Sequence, residues 1–300
     1  MSEKKSILAS LALLLTAAIW GSGFVFQKFA TEELTTSFIV ASRFTVAGLI
    51  TAVATIKKWH RIDKGYLLGG FLAGSTMALG TGLQTVAMTF GTSPGKSAFL
   101  TAAYCVIVPF LYWLVMKEKP RKNHLLSAVI CLFGIGLISL NGEGGLTLGD
   151  GVTLVCSVVF AANIVSIAVF CKGRDPMLLT MLQICVSAIC GWVSVFVTHG
   201  MPQSISLGAV GNVLYLALFS TGLCLTLQAI GLKYTNATVG TILLSLESVF
   251  GVLFSVLLYH EEVTPRMALG FAVVFAAVLL SQLDFSKKGK NAEQEHVQTV

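Results

Sequence analysis

Few side chains in this sequence could do chemistry away from water, and most of them stand singly within apolar runs. The stretch LLSLESVFG holds one carboxylate, Glu247, roughly midway along the apolar run 237–259. A carboxyl group there can take up and release a proton, or face a cationic solute. It can equally be held by Ser248, a neighbouring hydroxyl or a buried cation, and both alternatives stand at this level. Arg43, in ASRFTVAG, lies about two turns inside its run, where arginine can snorkel to the interface, so a structural role is expected. Lys96 opens a run behind TSPG as an interfacial lysine, an attractor for a solute carboxylate, or a partner for Glu247. Gln84, Gln228 and Asn163 can bond across helices or to a solute. Trp20, Phe99 and Tyr104, with Phe24 and Phe90, are candidate cavity walls, and Gly21 and Gly23 in WGSG are candidate hinges.

Catalysis finds little support in this inventory. Covalent chemistry needs a nucleophile beside a base. Ser22 has no evident base, the histidines at 60, 124, 199, 260 and 296 fall in loops, helix ends or the tail, and no aspartate is expected inside a span. The seven cysteines form no CxxC pair and read as small buried hydrophobes, with neither a metal site nor a disulfide framework. No enzyme activity, metal or cofactor is expected.

The elements that must position these residues follow from composition. Hydrophobic residues make up 55% of the chain and charged ones 11%, far from a water-soluble balance. The apolar residues fall into ten blocks at about 7–30, 36–56, 66–88, 93–116, 123–140, 149–170, 177–198, 207–232, 237–259 and 267–283. Each is near the ~20 residues that a helix needs to cross a ~30 Å hydrocarbon core. Lipid offers backbone groups no partners and the strand alternation of a barrel is absent, so the fold class is an all-α membrane protein of ten transmembrane helices.

Charge sets an orientation. Lys4, Lys5 and the loops KKWHRIDK, KEKPRKNH and KGR, with Lys233 and the tail lysines, fall on one side. TEELTT, GTSP, NGEGGLTLGD, THGMPQSIS and HEEVTPR fall on the other, with Arg266 their single cation. The positive-inside rule then places both termini in the cytoplasm. The net charge of +6 reports topology and gives no sign of nucleic-acid binding.

An offset of 144 residues aligns LQTVAMTFGTSPGKSAFLTAAYC, from Leu83, with LQAIGLKYTNATVGTILLSLESV, from Leu227. Gln84 meets Gln228, Ala103 meets Glu247 and Glu118 meets Glu262. Five spans per half is an odd number, so the second half is inverted, with halves at 7–141 and 149–283 and a cytoplasmic tail at 284–300. Inverted repeats place a solute path near the midplane and permit alternating access.

On AAIWGSGFVFQK, ASRFTVAG, TSPGKSAFLTAAYCVIVPFL and LLSLESVFGVLFSVLLYHEE, with Glu118 and Glu262 closing two helices, the chain resembles the drug/metabolite transporter superfamily, EamA type. The resemblance runs from about Ile7 to Leu283. It implies a multi-pass carrier of the plasma (inner) membrane, often an exporter, moving small metabolites such as amino acids or amphiphilic compounds through a central cavity. Related members carry proline after the ninth-helix glutamate, where this chain has Ser248. A small-molecule substrate and the lipid bilayer are the expected partners, in a monomer or homodimer. Proton coupling through Glu247 is the leading expectation, with a uniporter or channel-like facilitator the alternative. Lys96 and Glu247 together would suit a zwitterion.

Overall fold

The computed structural model describes residues 3–139, 147–235 and 237–282. All regular structure among them is helical. Helix α1 (Glu3–Ala30) runs unbroken through Trp20–Gly23, and α2 (Thr36–Thr55) starts where Thr35 Oγ1 accepts the Phe38 amide. A 3-10 turn (Ile56–Arg61) leads to α3 (Lys64–Thr89), capped by Asp63. The fourth apolar run divides at Ala103 into α4 (Pro94–Ala102) and α5 (Tyr104–Met116). Helix α6 (Lys122–Ser139) precedes α7 (Leu148–Phe170), which opens on a reciprocal capping box between Thr147 and Asp150. Asp175 caps α8 (Pro176–Thr198).

The eighth run is α9 (Leu207–Tyr215), a π-helical segment (Leu216–Leu223) and α10 (Cys224–Tyr234). The ninth divides at Leu246 into α11 (Ala237–Ser245) and α12 (Glu247–Tyr259), and α13 (Pro265–Gln282) closes the described chain. The break at Leu246 forms without a proline. The Ser245 and Ser248 hydroxyls donate to carbonyls three residues back, Ile242 at 2.7 Å and Ser245 at 3.0 Å, which tightens the backbone locally.

Among the described residues nine helical spans are long and apolar enough to cross a membrane, and a shorter apolar helix lies at Lys122–Ile138. The expected ends of that block and of the last, and the tail at 284–300, lie outside the described residues. Leu132, Phe196 and Val53 turn large apolar surfaces outward, an arrangement that suits lipid.

Helix α2 packs on α8, α3 on α7 and α8, α6 on α13, and α1 on α10 and α12. At Gly21 a Cβ would lie 2.5 Å from Phe250 Cβ and 2.8 Å from the Gly251 amide nitrogen, so α1 and α12 meet backbone to backbone there. Gly21 and Gly23 are the residues expected as hinge candidates. Both glycines are buried in an unbroken helix, and Gly23 faces Ser220.

The two ends of the bundle differ. At one, α4 packs against α12 and α1 against α4. At the other, α5 and α11 share at most marginal contact among the described residues. Basic loops gather at that second end, where Lys58 pairs with Asp175 at 2.7 Å and Lys172 reaches the Tyr112 hydroxyl at 3.4 Å.

Candidate functional site

The breaks in the fourth and ninth runs bring Tyr104 and Glu247, each the first residue of a half-helix, to the middle of the bundle. Tyr104 and Cys105 lie within electrostatic reach of Glu247, and Cys224 lies within reach of both Glu247 and Arg43. The Glu247 side chain keeps partial exposure and makes no hydrogen bond with any described residue. Neither Ser248, which bonds its own backbone, nor a buried cation holds it. Its position at the start of α12 sets a carboxylate on the positive end of a helix, a placement worth ~0.3–1 kcal/mol when ionised.

Arg43 is buried and does not snorkel, which corrects the interfacial placement expected for it. Its Nε donates to Thr221 Oγ1 at 2.7 Å, Nη2 to Ser220 Oγ at 3.1 Å and Nη1 to Gln27 Oε1 at 3.1 Å. Gln27 passes the chain on to Gln84 Oε1 (3.2 Å), and Gln84 to Thr101 Oγ1 (3.3 Å). This buried polar chain ties α1, α2, α3, α4 and the π segment together. The π segment supplies the acceptors, with Thr221 Oγ1 donating five residues back to Leu216 O at 2.9 Å. Such wide turns recur at functional sites. Trp20 Nε1 donates to Ser220 O at 2.7 Å, placing its half-buried ring beside the same segment. Among the described residues no carboxylate lies within ion-pair distance of Arg43. A buried guanidinium with only neutral acceptors is costly unless an anion approaches it.

Several expected site residues fall elsewhere. Lys96 is buried and pairs with Asp150 Oδ2 at 3.4 Å, Asp150 being wholly buried in the first turn of α7. Its charge is matched inside the protein, and the expectation that no aspartate enters a span is overturned with it. Asn163 spends its amide on α3, donating to Ala73 O at 2.6 Å and Thr76 Oγ1 at 3.2 Å, so it clamps helices rather than facing a cavity. Phe99 stacks on Phe271 with centroids 4.6 Å apart inside the core, and Phe90 is exposed at the end of α3. Gln228 is half-buried on α10 without the bonds that its counterpart Gln84 makes. Lys28, in the last turn of α1, donates to the Met88 carbonyl at 2.7 Å.

One well-connected carboxylate was passed over by sequence reasoning. Glu261 accepts the Gly95 amide at 2.9 Å together with the hydroxyls of Ser93 and Ser255, while the neighbouring Glu262 is exposed. Its aim is set by a left-handed His260 (φ 55°) that closes α12, returning the Glu261 amide to Ser255 O at 3.2 Å. The acidic HEE cluster signals a charged loop, and no spacing rule separates Glu261 from Glu262.

A bundle with two broken spans meeting at a lone carboxylate has the architecture of a membrane carrier. The EamA-like transporter family matches the chain over residues 7–140 and 147–283, and the chain belongs to that family. An uncharacterised transporter of Archaeoglobus fulgidus is 31% identical over 93% of this chain and 87% of its own length. The Bacillus subtilis uncharacterised transporter YoaV is 23% identical over 93% and 98%. A protein crystal structure at 15% identity superposes with a TM-score of 0.65, covering 93% of this chain and 97% of that one, a likeness of fold. The chain is a multi-pass membrane protein of transporter type.

Proposed function

We propose that this protein is a secondary transporter of the plasma (inner) membrane, exporting small metabolites such as amino acids or amphiphilic compounds in exchange for protons. It is built of two inverted five-helix halves, 7–141 and 149–283, with both termini cytoplasmic. The observation that carries this reading is the asymmetry around Glu247. The broken spans meet where α4 packs on α12 and part where α5 faces α11. Inverted halves that differ in this way describe one state of an alternating-access cycle, open toward the basic, cytoplasmic end. Rocking that joins α5 to α11 and separates α4 from α12 gives the opposite state.

Glu247 is the proton-exchanging group and Arg43 the anchor for a solute carboxylate, both within electrostatic reach of Cys224. Arg43 takes the role considered for Lys96, whose charge Asp150 already balances. The experiment is solute counterflow and pH-driven flux in proteoliposomes, screened over amino acids and amphiphilic amines. Glu247→Gln should remove the pH dependence while substrate binding persists. PH-driven flux at the wild-type level in that variant refutes coupling through Glu247, and wild-type flux indifferent to a proton gradient assigns the protein to facilitators.

A further inference from the structure

At the basic end, the turn after α2 and the turn joining α7 to α8 face each other across a crevice of about 410 Å3. Nothing in the transport cycle uses it. Arg61, Lys172 and Arg174 line it together with Asp63, Tyr66 and Asp175.

The two carboxylates are committed to local structure. Asp63 Oδ1 accepts the Tyr66 amide at 2.8 Å and caps α3. Asp175 accepts the Met177 amide at 2.9 Å on one oxygen and Lys58 Nζ at 2.7 Å on the other. Two of the three cations, Arg61 and Lys172, are less committed. Arg61 makes no hydrogen bond or ion pair with any described residue, and Lys172 reaches only the Tyr112 hydroxyl. Arg174 lies over the Tyr66 ring, 5.6 Å from its centroid. Its Nη1 donates to Phe170 O at 3.2 Å, and its Nε, 3.6 Å from Asp63 Oδ1, is buried without a hydrogen bond. The starts of α3 and α8 point into the same space and add the positive ends of two long helices. Gly65 leaves room for the Arg174 guanidinium, which any Cβ there would strike.

We propose that this crevice binds the phosphate of an anionic phosphate ester, bridging the first half of the chain to the second. Guanidinium groups match phosphate oxygens in a planar fork, and basic pockets between spans at the cytoplasmic face take anionic lipid headgroups. A lipid source fits the flank, where Trp59, Leu67 and Phe71 are exposed apolar surface beside the crevice. A soluble phosphate would satisfy the same cations, and the test separates the two.

The full chain in neutral detergent is titrated with phosphatidylglycerol, phosphatidylcholine or inorganic phosphate, reading bound lipid by native mass spectrometry and Tm by scanning. Phosphatidylglycerol should bind about tenfold more tightly than phosphatidylcholine and raise Tm. The double variant R61Q/K172Q, which costs only the 3.4 Å contact of Lys172 with the Tyr112 hydroxyl, should keep the lipid-free Tm and lose that preference. Inorganic phosphate that raises Tm and displaces phosphatidylglycerol assigns the site to a soluble anion. Equal binding of the two lipids with no response to phosphate overturns the proposal, as does a preference that survives in R61Q/K172Q.

Discussion

Glu261 supplies the N-terminal cap of a helix to which it does not belong. Its carboxylate accepts the Gly95 amide and the Ser93 hydroxyl, so α4 begins on a side chain from the far end of α12. A Cβ at Gly95 would come within 2.7 Å of Glu261 Oε2, which explains a glycine in the first turn of that helix. The cap therefore fastens the fourth span to the ninth at the end where α4 packs against α12.

Removing the cap should loosen that end. Glu261→Ala is expected to cost ~1 kcal/mol, in the usual range for a lost N-cap. Hydrogen exchange of the Gly95–Ser97 amides should quicken about fivefold, while exchange in α8 stays unchanged. Unaltered exchange at α4 would show that the latch carries no load.

Lys96 and Asp150 form a buried pair, so either charge alone is costly. Lys96→Met and Asp150→Asn should each destabilise by ~3–5 kcal/mol, and the double variant by clearly less. A double-mutant cycle in a denaturant titration measures the coupling, and additive losses would mean that the pair is not an interacting unit.

Gly21 and Gly82 provide a contrast within one bundle. Gly21→Ala drives a methyl into the backbone of α12 and should lower Tm and transport together. Gly82 has nothing within 4 Å of an added Cβ, so Gly82→Ala should be neutral or stabilise by up to ~1 kcal/mol through helix propensity. Thermal scans of the two variants settle the comparison.

Acid should attack the basic end first. Donation from the Tyr66 amide holds the Asp63 carboxyl below the usual range. For Asp175, partial burial pushes upward, but Lys58 and the Met177 amide outweigh it and the net displacement is downward. A depressed folded value means stability that is full above the unfolded value of ~3.9 and lost as pH falls through the folded values. Tm should thus fall as pH drops below about 4, and Asp175→Asn should lower Tm at pH 7 while reducing that acid-dependent loss. A variant whose Tm declines with acid as steeply as wild type contradicts the assignment.

Much of the architecture is legible in the chain because lipid imposes a simple rule: apolar runs of one length must become helices. The run 237–259 announced a span and isolated Glu247 within it. Its division at Leu246 was not legible, because the serine hydroxyls that tighten the break look like ordinary small residues in a membrane helix. Arg43, Lys96 and Asn163 stood out as polar groups needing partners, but a sequence names no partner across space. Asp150 sat beside a loop motif and Gln27 beside an apolar turn, and each is recognised only by what it touches.

The sequence by itself determined the class of protein, the family and the presence of a lone mid-span carboxylate, since hydropathy, charge placement and motif order are properties of the chain. Tertiary structure decided which polar residues bond with one another, that Asp150 neutralises Lys96 while Arg43 has only neutral partners among the described residues, and which halves of the broken spans pack together. Those outcomes depend on distances between helices far apart in sequence. Burial makes every such pairing costly to leave unmade, yet hydropathy carries no record of which pair will form.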